Sequence, residues 1–145
     1  MKAAVAAAWS VGCSTEQICA GMEKVRPVRR RLEQKQAQAG AQLIDDTYNA
    51  NPDSVRAAID VVAEQATQNG NTRTVVLGMM GELGHFADMM HYQVGEHAAH
   101  QDLRVVSVGA EAAKIAEGAR EGGGKAVKHF DDYEEAACWL KATLH

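Results

Sequence analysis

LIDDTYNANPDS, residues 43–54, joins the end of an apolar run to the start of a helix. Its apolar residues lead into two aspartates, as expected of a strand that ends at the edge of a sheet. Asn51 or Asp53 can then cap a helix, and Pro52 suits the first turn of one. The following apolar residues share one helical face: Val55, Ala58, Ile59, Val62 and Ala66.

Strands and helices continue to alternate after this segment. The sequence predicts strands over 74–77, 104–108 and 126–130, helices over 87–100 and 111–121, and a last helix opened by Asp131 with Glu134 as a capping box. Such alternation with short loops predicts an α/β fold with a doubly wound, mainly parallel sheet. Ligands of such sheets bind beyond the carboxyl ends of the strands. The loops 45–54, 78–84 and the one after Gly109 are therefore the candidate binding loops.

A short helical segment precedes the sheet. Helices are predicted over 2–10 and 15–25, the second opened by a capping box of Ser14 and Gln17 and stopped by Pro27. A cluster of three arginines, 29–31, follows and marks a change of structural unit. Residues 32–36 and 42–45 then flank Gly40 and predict a hairpin.

Composition restricts the possible classes of protein. A chain of 145 residues with 46% hydrophobic and 23% charged residues can form one ordered domain. A net charge of −4 argues against nucleic acid as the partner. Three cysteines without zinc spacing favour a reduced, cytoplasmic setting. We expect no membrane partner, since no apolar run approaches the length of a membrane span.

The loop 45–54 carries the groups that a nucleotide requires. Carboxylates accept hydrogen bonds from ribose hydroxyls, carboxamides both donate and accept, and a helix start favours an anion. The same residues also fit a polar turn in which Asn51 only caps the helix. A receiver domain of signalling proteins is a further possibility, but the later strands end in Gly78 and Gly109, where a receiver needs aspartate or lysine.

Three other features have alternative interpretations. The three glycines of 78–84 allow either a tight turn or the close approach of backbone N–H groups to a ligand. The arginine cluster 29–31 is either a solvated linker or a source of one arginine aimed at a phosphate. His97 and His100 share a helical face, but no third ligand lies at a suitable spacing, so no metal site is predicted.

Taken in order, PVRRRL at 27–32, DDTYNANPDS at 45–54, GMMGELG at 78–84, and His91 with Gly95 resemble the carboxyl-terminal part of the Mur ligases. The YNANPDS run is typical of the MurF type, which adds D-alanyl-D-alanine to UDP-N-acetylmuramoyl-tripeptide in peptidoglycan synthesis. The resemblance implies a Rossmann-like Mur ligase C-terminal domain over 29–145 that lacks its last strand. It implies that residues 1–28 are the closing helices of the central ATPase domain plus a linker.

In this family, ATP phosphorylates the carboxylate of the tripeptide, and the amine of D-alanyl-D-alanine attacks the acyl phosphate. The resemblance implies a fragment of such a ligase, with ATP and Mg²⁺ held by the full-length enzyme and no catalytic or metal-binding residue in this chain, so that the fragment alone is inactive. Arg31 is implied to face the nucleotide phosphates. The implied nucleotide-binding residues are Arg31, Asp45, Asp46, Asn49, Asn51 and Pro52, and the implied substrate-facing residues are Tyr48, Gly81, Glu82, Gly84 and His91.

Two positions depart from the family pattern: Arg30 stands where the family usually has glycine, and Met79 where it usually has aspartate. The alternative to a ligase fragment is a stand-alone, non-catalytic nucleotide-binding or interaction module.

Overall fold

The computed structural model describes residues 2–25, 28–37, 40–66 and 72–143. Pro27, which was predicted to end the second helix, lies outside these ranges. Within them, the helices are α1 (Lys2–Ser10), α2 (Thr15–Glu23), α3 (Pro52–Ala66), α4 (Ala87–His100), α5 (Ala113–Glu121) and α6 (Tyr133–Thr143). The strands are β1 (Glu33–Gln36), β2 (Gln42–Asp45), β3 (Thr74–Leu77), β4 (Arg104–Val108) and β5 (Val127–Phe130). Short 3₁₀ turns at Gly84–Phe86 and Ala110–Ala112 lead into α4 and α5.

The predicted α/β class and parallel sheet are confirmed. Strands β3, β4 and β5 lie side by side in that order and all run parallel, with Val75 opposite Val105 and Val105 opposite Val127. Strands β1 and β2 form the predicted hairpin as a separate antiparallel pair, with Gln34 opposite Ile44. In the described residues, β2, which ends at Asp45, is therefore paired with β1 and not with the parallel sheet. The sequence also predicted this strand as the first in the alternation of strands and helices.

Helices cover both faces of the parallel sheet. Val105 belongs to the core cluster that also contains Val94 of α4 and Ile115 of α5. Its neighbour Arg104 points to the opposite face, since side chains alternate along a strand. There the Arg104 guanidinium lies 5.9 Å from the centre of a Trp139 ring on α6. Helices α4 and α5 therefore pack on one face of the sheet and α6 on the other.

Helices α4 and α5 pack with almost no space between their backbones. A Cβ atom added to Gly95 of α4 would lie 1.9 Å from the carbonyl oxygen of Ile115. A Cβ atom added to Gly118 of α5 would lie 2.0 Å from the carbonyl oxygen of Tyr92. Each helix thus supplies a glycine where the other supplies a carbonyl group.

Helix caps place the helix starts. The predicted capping box of Ser14 and Gln17 is confirmed at α2. Asn51 caps α3, because its Oδ1 accepts from the Ser54 N–H at 2.9 Å. The prediction that Asp131 opens the last helix is wrong by one residue: Asp132 accepts from the N–H groups of Glu134 and Glu135. Asp131 instead lies 3.2 Å from His129 Nε2.

Candidate functional site

We call residues 29–32 the arginine linker, residues 45–51 the acidic loop and residues 78–84 the glycine loop. The first two are joined by hydrogen bonds that backbone N–H groups donate. The Tyr48 N–H donates to the Arg30 carbonyl at 3.0 Å, and the Leu32 N–H donates to Asp46 Oδ1 at 2.9 Å. The linker backbone is unusual here, with φ of 61° at Arg30 and 46° at Leu32. Both residues adopt left-handed backbone conformations in the segment that contacts the acidic loop.

Side chains add to this junction. Arg30 Nε donates to Thr47 Oγ1 at 2.9 Å. The Arg31 guanidinium lies 4.4 Å from the centre of the Tyr48 ring, a cation–π distance. Arg31 and Tyr48 are both exposed, so this pair presents a positive charge to solvent beside the acidic loop.

Asp45 and Asp46 have different surroundings. The Asp45 carboxylate accepts from Lys35 Nζ and from the hydroxyl and N–H of Thr47. Lys35 first, and then Thr47, hold the pKa of Asp45 well below its usual range, so this group is ionised at neutral pH. Both Asp45 oxygens are engaged within the protein. Asp46 uses Oδ1 to accept from Leu32, which makes its Oδ2 the better placed oxygen for a ligand hydroxyl.

The carboxamides of the acidic loop lie at its exposed end. Asn49 Oδ1 accepts from the Ala50 N–H at 3.0 Å, and Asn51 Oδ1 serves the α3 cap. Pro52 is the first residue of α3, as its preference for the first helical turn predicts. The capping interpretation of Asn51 is thus confirmed. The nucleotide-binding role of Asn51 stays a prediction.

The glycine loop is anchored at two points. Met80 is only 3% exposed and belongs to the core, and Leu83 packs against the same core cluster. Between them, Gly81 and Glu82 are exposed. Glu82 has a φ of 62° and Gly84 a φ of 56°, so both residues adopt left-handed backbone conformations. Glu82 is thus an exposed residue in the loop that follows the carboxyl end of β3.

His91 requires a correction. The resemblance placed it among the substrate-facing residues, but the structure buries it to 2% exposure beneath the glycine loop. Its Nε2 accepts from the Met80 N–H at 2.8 Å, and its Nδ1 lies 2.7 Å from the Ala87 carbonyl oxygen. Both ring nitrogens therefore bond within the protein, and the ring itself cannot reach a substrate.

The acidic and glycine loops both pack against the core. Ala50 of the first loop and Leu83 of the second pack against one core cluster. Arg56, in the second turn of α3, donates to Gln93 of α4 at 3.1 Å. The helices that follow the two loops, α3 and α4, are therefore in contact.

The remaining histidines on α4 do not add a metal site in the part of the chain that the structure describes. His97 Nε2 lies 2.7 Å from Asp60 Oδ1, which also accepts from Gln101. Across the described ranges, no three His, Cys, Asp or Glu side chains are placed to hold an ion. Across the same ranges, no helix is both long and apolar enough to cross a membrane.

Comparison with known families gives these loops a context. A family model described as "Mur ligase, glutamate ligase domain" matches residues 30–144. The chain belongs to this Mur ligase family. The matched range contains the arginine linker from Arg30 onward and both loops.

Two curated relatives that match this Mur ligase domain carry the same protein name. The UDP-N-acetylmuramoyl-tripeptide--D-alanyl-D-alanine ligase of Escherichia coli K12 is 37% identical over 143 residues, which are 98% of this chain and 30% of that protein. The ligase of the same name from Mycobacterium tuberculosis H37Rv is 42% identical over 110 residues, or 73% of this chain and 22% of that protein. The chain thus spans less than a third of the length of these relatives.

Solved structures agree on the fold. A crystal structure of MurF from Acinetobacter baumannii superposes with a TM-score of 0.83 at 36% identity, covering 98% of this chain and 29% of that one. MurF from Thermotoga maritima, solved in complex with ADP, superposes with a TM-score of 0.74 over 97% of this chain and 30% of its own; at 22% identity it supports the fold alone.

The Mur ligase domain contains two features that sequence reasoning missed. One is the contact between Arg31 and Tyr48, which no local pattern indicates because the residues are 17 positions apart (31 to 48). The other is the burial of His91. A weak signal for it existed, since His91, Val94, Gly95 and Ala98 recur at helical spacing and all four are buried.

The backbone conformation of Arg30, where the resemblance leads us to expect glycine, is one that glycine adopts more readily. Arg30 has a φ of 61°, a left-handed conformation that costs a non-glycine residue about 1–2 kcal/mol. We expect the Arg30→Gly variant to be more stable than Arg30→Ala by about 1 kcal/mol, since both lose the contact to Thr47 and only glycine relieves the backbone. Urea denaturation of the two variants measures this difference. Equal stabilities would contradict the strain at this position.

Proposed function

We propose that this chain is the carboxyl-terminal domain of a MurF-type ligase, which forms the amide bond between D-alanyl-D-alanine and UDP-N-acetylmuramoyl-tripeptide. The observation that carries this proposal is the junction of the arginine linker with the acidic loop. This junction supports the proposal because it joins the segment that carries the Arg31 charge to the loop that carries the Asp46 carboxylate and the two carboxamides.

These groups suit the two halves of the reaction. ATP phosphorylates the tripeptide carboxylate, the amine then attacks the acyl carbon, and phosphate leaves as the amide forms. In this proposal Arg31 pairs with nucleotide phosphates by charge-assisted hydrogen bonds, and Asp46 Oδ2 accepts from a ribose hydroxyl. Asn49, Asn51 and Pro52 border the nucleoside, with Tyr48 beside them. Asp45 supports the loop from within, because Lys35 and Thr47 occupy its oxygens.

The exposed part of the glycine loop faces the incoming amino substrate in this proposal. Gly81 and Gly84 allow a ligand to approach the backbone, and Glu82 offers a carboxylate near an amine. The Mg²⁺ that the family implies would steady phosphate charge, but the described residues contain no suitable set of ligands. We therefore assign its site, and the groups that hold the reacting phosphates, to other domains of the ligase.

The organisation of the full enzyme follows the same proposal. Residues 1–28 are the closing helices of the central ATPase domain plus the linker, and residues 29–145 are the carboxyl-terminal domain. ATP, the UDP-linked tripeptide and D-alanyl-D-alanine are the partners of the full-length enzyme. Such an enzyme works on cytoplasmic precursors, which fits the reduced setting that the free cysteines Cys13, Cys19 and Cys138 favour.

The test compares the full-length product of the gene with the 145-residue chain. We expect the full-length protein to release phosphate only when ATP and both amide-forming substrates are present, and to yield the extended peptide by mass spectrometry. The chain alone is expected to stay at background. Nucleotide binding without turnover by the full-length protein would instead favour a non-catalytic module, and turnover by the purified chain alone would contradict the fragment interpretation.

A further inference from the structure

His91 is a buried titratable residue to which the proposed reaction gives no role. Its Nε2 accepts from the Met80 N–H, so the ring proton lies on Nδ1 and donates to the Ala87 carbonyl oxygen. A neutral ring in this tautomer satisfies both hydrogen bonds at once. The contact to Ala87 lies within α4, whereas the contact to Met80 leaves the helix and fixes the glycine loop.

Met80 is the residue on which the shape of the glycine loop depends. Its side chain lies in the core and its N–H is held by His91, so its position is set on both sides. Gly81 and Glu82 follow directly, are exposed, and reach the next anchored residue, Leu83, through a backbone with φ of 62° at Glu82. A shift of Met80 would therefore move Glu82, the charged group of this loop.

We propose that His91 is a positioning residue for the amino substrate: through the Met80 N–H it holds Gly81 and Glu82 where the Glu82 carboxylate faces the ammonium group of that substrate. This inference rests on the proposed ligase function. The choice of histidine follows from its geometry, since one ring reaches the helix carbonyl with one nitrogen and the loop N–H with the other. No contact between His91 and the substrate is involved.

Two substitutions separate the two hydrogen bonds of His91. In His91→Gln the side-chain amide oxygen can occupy the place of Nε2 and keep accepting from Met80. In His91→Asn the shorter side chain can still donate to Ala87 but leaves the Met80 N–H without its acceptor. His97→Asn is the control, because His97 lies on the same helix and bonds to Asp60 of α3, away from the glycine loop.

In the full-length ligase, we expect His91→Asn to raise KM for D-alanyl-D-alanine by at least about fivefold, because a displaced Glu82 carboxylate would bind the ammonium group less well. KM for ATP should change by less than about twofold, because in this proposal the glycine loop contacts the amino substrate and not the nucleotide. His91→Gln and His97→Asn should resemble the wild type for both substrates. Equal KM values for the dipeptide in His91→Asn and His91→Gln, or a parallel rise in KM for ATP, would overturn the proposal.

A second measurement needs neither activity nor a substitution. In the wild-type 145-residue chain, NMR should detect a coupling across the hydrogen bond between Met80 N and His91 Nε2, and slow exchange of the Met80 amide proton. Absence of the coupling would overturn the positioning role. If the coupling is present and the full-length protein forms no amide bond, the proposed function fails while the hydrogen bond stands.

Discussion

Replacing Gly95 by alanine is expected to destabilise the chain by at least about 3 kcal/mol, at the upper end of the cost of overpacking a core. The added methyl group would lie 1.9 Å from the Ile115 carbonyl oxygen and 2.9 Å from the Ala119 nitrogen. Both are backbone atoms of α5, so no side-chain rotation can relieve the overlap. The helices would have to separate, which would open the core around Val94 and Ile115. Urea denaturation followed by circular dichroism measures the loss.

Two further glycine substitutions show whether this effect depends on the helix contact. Gly118→Ala should cost a similar amount, because its methyl group would meet the Tyr92 carbonyl oxygen at 2.0 Å. Gly21→Ala lies within α2 with no atom close to the added Cβ, so it should be neutral or stabilising by up to about 1 kcal/mol. A Gly95→Ala chain as stable as the wild type would show that α4 and α5 are further apart than described.

Under the proposed ligase function, replacing Arg31 by alanine in the full-length protein is expected to lower kcat/KM for ATP by at least about tenfold. A charge-assisted hydrogen bond to phosphate contributes about 1.5–3 kcal/mol, and tenfold corresponds to about 1.4 kcal/mol. The Tyr48 ring holds the guanidinium at 4.4 Å from its centre, which limits where the charge can lie. Steady-state kinetics with varied ATP gives the ratio.

The neighbouring arginines are the controls for this prediction. Arg29 is exposed, and Arg29→Ala should be nearly silent, as surface substitutions usually are. Arg31→Lys keeps the positive charge but loses the planar guanidinium that can form two parallel hydrogen bonds. Its kcat/KM for ATP should therefore lie between those of the wild type and Arg31→Ala. If Arg31→Ala retains the wild-type kcat/KM while Arg30→Ala does not, the phosphate-facing arginine is Arg30.

Local patterns were sufficient for most secondary structure. The run Thr-Val-Val-Leu at 74–77 and the helical spacing from Ala87 to His100 produced elements with the predicted bounds. The start of α6 was missed by one residue because two adjacent aspartates offer equivalent caps, and only the path of the chain selects Asp132.

Long-range geometry was beyond these patterns. Gly118 is unfavourable for a helix on propensity alone, and its reason for being there is a carbonyl group on another helix. The burial of His91 likewise depends on Met80, eleven positions earlier in the chain. The left-handed conformation of Arg30 has no local signal, since arginine does not favour positive φ. At the candidate site, sequence indicated the loops, whereas their mutual contacts required coordinates.

The hydrogen bonds that join the arginine linker to the acidic loop have a consequence for how tightly an anionic ligand can be held. Immobilising a long side chain at a binding site costs about 0.5–1.5 kcal/mol when it happens during association. Here the Tyr48 N–H to Arg30 bond and the Leu32 N–H to Asp46 bond fix the backbone on both sides of Arg31, and the Tyr48 ring restricts its guanidinium. Much of that entropy is therefore lost when the chain folds, so that Arg31 is preorganised and more of its interaction energy remains for affinity.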